Sequence, residues 1–155
     1  MKQERGASIM EILGVLAIAG VMSAAAISVY NVIRTNQTRK IASIELGQIA
    51  KNTELLMGMR GDYTGLSVDY LISAGALKNN QAPIGGDDWS VSPNIDATGY
   101  SINLTQLTEG ECQYFTVSKP EWATSVIVNG IEVSTTPNCF STATNKISFM
   151  VEPNK

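Results

Sequence analysis

The chain has 155 residues, a net charge of −3, no histidine and two cysteines, a size that suits one small domain with an anchor. The missing histidine excludes Ser-His-Asp and Cys-His catalysis and any His/Cys zinc site. With no basic patch beyond Arg34, Arg39 and Lys40, nucleic acid is a poor candidate partner.

The amino terminus carries the strongest signal. Lys2 and Arg5 form a short charged leader that ends at Gly6. An apolar run follows as far as Ile33, and no charged residue occurs between Glu11 and Arg34. At about 1.5 Å of rise per residue, a helix over that run crosses a bilayer core of roughly 30 Å. Glu11 is the anomaly. A carboxylate in such a segment costs on the order of 2.5–3.5 kcal/mol, so it needs a partner and a role. A secretory signal peptide cut near Ala24-Ala25-Ala26 has no use for an acid in its apolar core. A plain one-pass anchor leaves both Gly6 and Glu11 unexplained.

Gly6-Ala7-Ser8-Ile9-Met10-Glu11 resembles the processing site of type IV prepilins. The resemblance implies that a prepilin peptidase cuts between Gly6 and Ala7 and methylates the new amino terminus at Ala7. It also implies that Glu11, then the fifth residue, sets register during assembly. Many members start with Phe, Met or Leu where this chain has Ala7. The physics agrees with the assignment. A buried carboxylate is tolerated when paired, and the amine of Ala7 in a neighbouring subunit is a natural partner. Lys2 and Arg5 before the run keep the leader cytoplasmic, although Arg34, Arg39 and Lys40 beyond it blur the charge asymmetry.

Residues 8–57 contain no proline and read as one long helix, apolar first and amphipathic later. Ala42, Leu46, Ile49, Ala50, Thr53, Leu56 and Met57 share one face, which would pack on a globular head. Ile41, Ile44 and Leu55 fall opposite and are left wet in an isolated domain. They meet neighbouring helices in a filament, or else are scattered surface residues that need no explanation. Gly14 and Gly20 each weaken the helix by about 1 kcal/mol relative to alanine. In the family this part of the helix can unwind as the subunit leaves the membrane, so local melting between them is one expectation. Close helix packing is the other.

The glycine-rich residues 58–65 end the helix. Residues 67–76 suit a short helix capped by Ser67, with Val68, Leu71, Ile72 and Leu77 on its apolar side. A loop follows over 78–88. There Asp87-Asp88 beside Gly85-Gly86 reads as a polar turn in preference to a calcium loop. Residues 89–91 and 99–104 read as strands. Residues 105–117 suit a short helix carrying Cys112 and Phe115 on neighbouring faces, with Gly110 awkwardly inside it. Asn129-Gly130 between β-branched runs at 125–133 is a two-residue hairpin signal. Residues 145–151 form the last strand.

Two cysteines beyond a membrane segment suggest one disulfide in an oxidising space, for a gain of about 3–4 kcal/mol; two free buried thiols are the alternative. Three pieces of the head resemble the bundle-forming branch of type IVb pilins. These are Asp62-Tyr63-Thr64-Gly65-Leu66, Leu104-Thr105-Gln106-Leu107 leading to Glu111-Cys112, and Asn145-Lys146-Ile147-Ser148-Phe149-Met150. The family places its cysteine pair, here Cys112 and Cys139, around a variable C-terminal surface.

The resemblance therefore implies an α+β fold, a long amino-terminal helix on an antiparallel sheet head. Its divisions are a leader over 1–6, a polymerisation half over 7–33, an amphipathic half over 34–58 and a head over 59–155. It implies no enzyme, cofactor or metal, but a subunit that polymerises with itself into a filament for adhesion, aggregation or conjugation. The partners implied are the inner membrane before assembly, a prepilin peptidase, an inner-membrane platform with its ATPase, and an outer-membrane secretin. A type II secretion pseudopilin or minor pilin is the near alternative, and a tethered binding module the distant one.

Overall fold

The computed structural model describes residues 2–86 and 88–153, with side chains described from Ser8 onward. The chain divides into two compact units, Met1–Gln37 and Thr38–Lys155, and helix α1 (Lys2–Thr53) contributes to both.

In the second unit α1 buries Ala42, Leu46, Ile49, Ala50 and Thr53, and Met57 continues the stripe. These are the positions that the 3.6-residue period puts on one face. Leu56 packs partly buried against the same core. Ile41, Ile44 and Leu55 stay exposed, as the pattern requires. Where one uninterrupted helix was expected, α1 widens into a π-helical turn over Glu54–Gly58. Thr53 donates its hydroxyl to the carbonyl of Ile49 at 2.7 Å just before the widening, the back-bond that bends helices. The Glu54 carboxylate lies over Gly58, where an added Cβ would come 2.7 Å from it.

Ser67 caps α2 (Val68–Ser73) by accepting from the amide of Tyr70. The sheet follows: β1 (Ser90–Pro93), β2 (Tyr100–Leu107), β3 (Ser125–Val128), β4 (Ile131–Glu132) and β5 (Asn145–Val151), in the order β1-β2-β5-β3-β4 with every pairing antiparallel. Strand β5 alternates strictly, burying Asn145, Ile147, Phe149 and Val151. Asn129 and Gly130 both take positive φ, 50° and 85°, the primed two-residue turn expected of Asn-Gly.

The expected helix over 105–117 starts later than its sequence suggested. Residues 105–107 finish β2, and α3 is Glu109–Val117. The boundary is a capping box. Thr108 accepts from the amide of Glu111, whose carboxylate accepts from the amide of Thr108. The strand survives past Leu104 because β2 bulges between Leu104 and Leu107, with Gln106 at a φ of 52°. Gly110 sits in the first turn of α3, where an added Cβ would lie 3.0 Å from the Arg39 guanidinium. That guanidinium stacks on Tyr114, 5.4 Å from its ring centroid.

The core joins the α1 stripe to Tyr100, Ile102, Leu104, Ile147 and Phe149 of the sheet, with Phe115 of α3 in the same cluster. Phe149 is its aromatic hub, edge-on to Phe115 at 6.1 Å and tilted to Trp122 at 5.7 Å.

Candidate functional site

Residues 8–37 form a helix surface with no buried residue. Its large apolar side chains, from Ile9 through Leu13, Leu16, Val21 and Val29 to Ile33, are exposed at adjacent as well as helically spaced positions. The segment is therefore apolar all round, the pattern of a helix meant for lipid or for other helices. It is long and apolar enough to cross a membrane. Glu11 stands exposed within this surface, without an ion pair among the described side chains. Gly14 and Gly20 meet nothing within 4 Å where a Cβ would be added, so packing inside the chain gives neither glycine a reason. The backbone of Gly6 and Ala7 is helical, while the Ala7 side chain lies outside the described residues.

The head is closed at its C-terminal side by a disulfide. Cys112 on α3 is bonded to Cys139 with their Cα atoms 6.0 Å apart, so neither thiol is free. Next to it is a polar hub that sequence reasoning missed. Asn145 is fully buried at the start of β5. Its Nδ2 donates to the carbonyls of Leu107 (3.0 Å), Phe140 (3.0 Å) and Thr142 (3.1 Å). Two amide hydrogens serve three acceptors, so at least one bond is shared. Its Oδ1 accepts from the Phe140 amide and from Nδ2 of Asn129. Asn129 also donates to the Asn138 carbonyl and accepts from the Lys146 amide. The hairpin turn, the segment around Cys139 and the bulged end of β2 are thus tied together by two side-chain amides.

The C-terminal end of α1 is fixed by a second polar group. Tyr63 donates its hydroxyl to Glu54 at 2.9 Å, and Tyr100 donates to the Ala50 carbonyl at 3.1 Å. The two rings stand 5.0 Å apart. Burial, then the Glu54 hydrogen bond and charge, pushes the Tyr63 hydroxyl up to about 12. Burial and the nearby Glu54 charge push Tyr100 up as well. Asp62, fully exposed, is held below the usual carboxylate range by the hydroxyl and amide of Thr64.

Among the described residues, no group of three metal-ligating side chains occurs. The glycines at 85 and 86 have another explanation than an ion. An added Cβ on Gly85, whose φ is 78°, would lie 2.5 Å from the Thr105 carbonyl, so the loop presses its backbone onto the bulge of β2. Asp88 accepts from the side chain of Asn80 and pairs with Gln81, closing the loop as a turn; Asp87 lies outside the described residues. A cleft of about 380 Å³ is lined by Ile49, Leu77, Lys78 and Trp89, and a groove of about 420 Å³ by Lys51, Tyr100 and Trp122. Glu45 also lines the first, and Glu54, Thr124 and Glu152 also line the second.

An apolar helix long enough to cross a membrane, an antiparallel head and a disulfide closing its C-terminal region make up the architecture. No protein-family model matches the chain. No curated protein matches it in sequence. Among solved structures, the chain is similar to TcpA, a type IV pilin from the El Tor biotype of Vibrio cholerae, with a TM-score of 0.59. The identity is 14%, and the match covers 74% of this chain and 98% of TcpA. The chain has the type IV pilin fold.

Proposed function

We propose that the protein is a structural subunit of a type IV pilus, made as a membrane-anchored precursor and polymerised through its amino-terminal helix into a surface filament. The observation that carries this reading is the exposure of every residue from 8 to 37, apolar around the helix as far as Ile33 yet interrupted by Glu11. Lipid can cover that surface before assembly, but it cannot neutralise a carboxylate. Copies of the same helix can do both, if cleavage after Gly6 frees the amine of Ala7 to face a neighbour's Glu11. Gly14 and Gly20, which no intrachain contact explains, supply either a flexible stretch or a close helix approach in that polymer.

In this reading a prepilin peptidase removes residues 1–6 and methylates Ala7. An inner-membrane platform with its ATPase lifts the subunit from lipid, and a secretin passes the filament through the outer membrane. The filament serves adhesion, aggregation or conjugation and has no enzymatic role. The Cys112–Cys139 bond favours a pilin over a calcium-dependent pseudopilin. The test is electron microscopy of material sheared from cells that express the chain. Filaments containing it, lost or sharply reduced in Glu11→Ala, support the proposal; filaments formed by Glu11→Ala at the normal rate remove the register role.

A further inference from the structure

Residues 59–62 form a short exposed turn held between two buried anchors. Met57 and Tyr63 are 2% and 1% exposed, whereas Met59, Arg60, Gly61 and Asp62 between them are all exposed, Met59 to 98%. The turn is fixed at both ends. The amides of Arg60 and Gly61 donate to the carbonyls of Met57 and Gly58, and Tyr63 is clamped by its amide to Ala97 and by its hydroxyl to Glu54. Gly61 takes a φ of +63°, which L side chains adopt only under strain. The fold thus accounts for Gly61 by its backbone and for Oδ1 of Asp62 by its two bonds to Thr64. It does not account for Arg60, which makes no side-chain hydrogen bond or ion pair among the described residues.

The result is an Arg-Gly-Asp tripeptide displayed on a pre-ordered protrusion: a guanidinium, a residue without a side chain, and a carboxylate with Oδ2 uncommitted. We propose that this turn is a receptor-binding site for an animal-cell adhesion protein of the metal-dependent class that takes the Arg-Gly-Asp tripeptide. The receptor would hold a divalent cation with one open coordination position for Oδ2 of Asp62, and an acidic pocket for the guanidinium of Arg60. Hard divalent cations take carboxylate oxygens, and arginine offers a planar fork of donors to acidic groups. The missing side chain at Gly61 lets the receptor surface approach the backbone. Pre-ordering between Met57 and Tyr63 lowers the entropy that binding must overcome. The biological use of this site rests on the surface-filament reading, because the turn must be displayed outside the cell.

The test needs no filament. The full chain, purified in detergent micelles, is immobilised and exposed to the soluble ectodomain of an Arg-Gly-Asp-binding integrin in Mn²⁺ buffer. Saturable binding is expected, lost on chelation and displaced by free Gly-Arg-Gly-Asp-Ser peptide. It should weaken at least about tenfold in Asp62→Glu, which keeps the charge but moves it. Arg60→Lys should weaken it comparably, and serves alone if circular dichroism shows Asp62→Glu misfolded. No binding in Mn²⁺, or binding that survives both substitutions and the peptide, overturns the proposal. Either of those results leaves the filament reading standing where microscopy shows filaments, and binding without filaments has the opposite meaning.

Discussion

Nδ2 of Asn129, in the hairpin turn, lies 3.0 Å from Oδ1 of Asn145 at the start of β5, and this contact joins two polar networks into one. Asn129 arrived as a turn residue and Asn145 as the first residue of a strand. Together they hold the segment around Cys139 to the sheet by hydrogen bonds.

Replacing Asn145 by alanine should be among the most damaging single changes in the head. It leaves the buried Leu107 carbonyl and the part-buried Phe140 amide without this partner. A loss of about 2–4 kcal/mol is expected, read as a lower urea midpoint with an unchanged slope. Asn145→Asp should not rescue it, since a carboxylate cannot donate to three carbonyls.

The disulfide gives a second prediction. Its ends are 27 residues apart, so loop closure predicts that reduction, or Cys112→Ser with Cys139→Ser, costs about 3–4 kcal/mol. A chelator should leave thermal unfolding unchanged, because the glycines at 85 and 86 serve a backbone approach. Calorimetry with dithiothreitol and, separately, with EDTA checks both halves.

Gly85 and Gly75 separate crowding from backbone strain. Both have positive φ, 78° and 75°, but only Gly85 lacks room for a Cβ. Gly75→Ala should cost about 1–2 kcal/mol, the ordinary penalty of a left-handed alanine. Gly85→Ala should cost clearly more, because the colliding atom is the Thr105 carbonyl, which belongs to the sheet. Parallel denaturant curves decide it.

Much of the fold was legible in the sequence where one local signal dominated. The α1 stripe from Ala42 to Met57 follows from helical period and the absence of proline, the β3–β4 hairpin from Asn129-Gly130, and β5 from strict alternation. The misplaced start of α3 had a readable signal, since Thr108-Glu109-Gly110-Glu111 is a capping-box pattern. The strand before it was obscured by its bulge, which breaks the alternation at Gln106. Asn145 was not legible at all: its partners lie up to 38 residues away, and no local pattern marks a buried amide as a hub. The π-helical turn was likewise not legible; in the folded chain its first residue, Glu54, accepts from the hydroxyl of Tyr63, nine residues on.

High pH should loosen the head. Tyr63 titrates at about 12 in the folded chain against about 10 when unfolded, and Tyr100 is shifted the same way. Below pH 10 both states hold the proton and the contribution is fully present. Above it the unfolded state loses protons first, so stability falls between about pH 10 and 12. Tyr63→Phe should lower stability at neutral pH and flatten part of that decline, as denaturation at fixed temperature across the pH range will reveal.

The central claim is that the amino-terminal helix becomes an assembly element once its leader is removed. Intact-mass spectrometry of the protein recovered from its native cells tests this most directly. The account predicts a chain that begins at Ala7, with the added mass of one methyl group if the new amino terminus is modified. A full-length polypeptide from Met1 to Lys155, or one trimmed beyond Ala26, would contradict it.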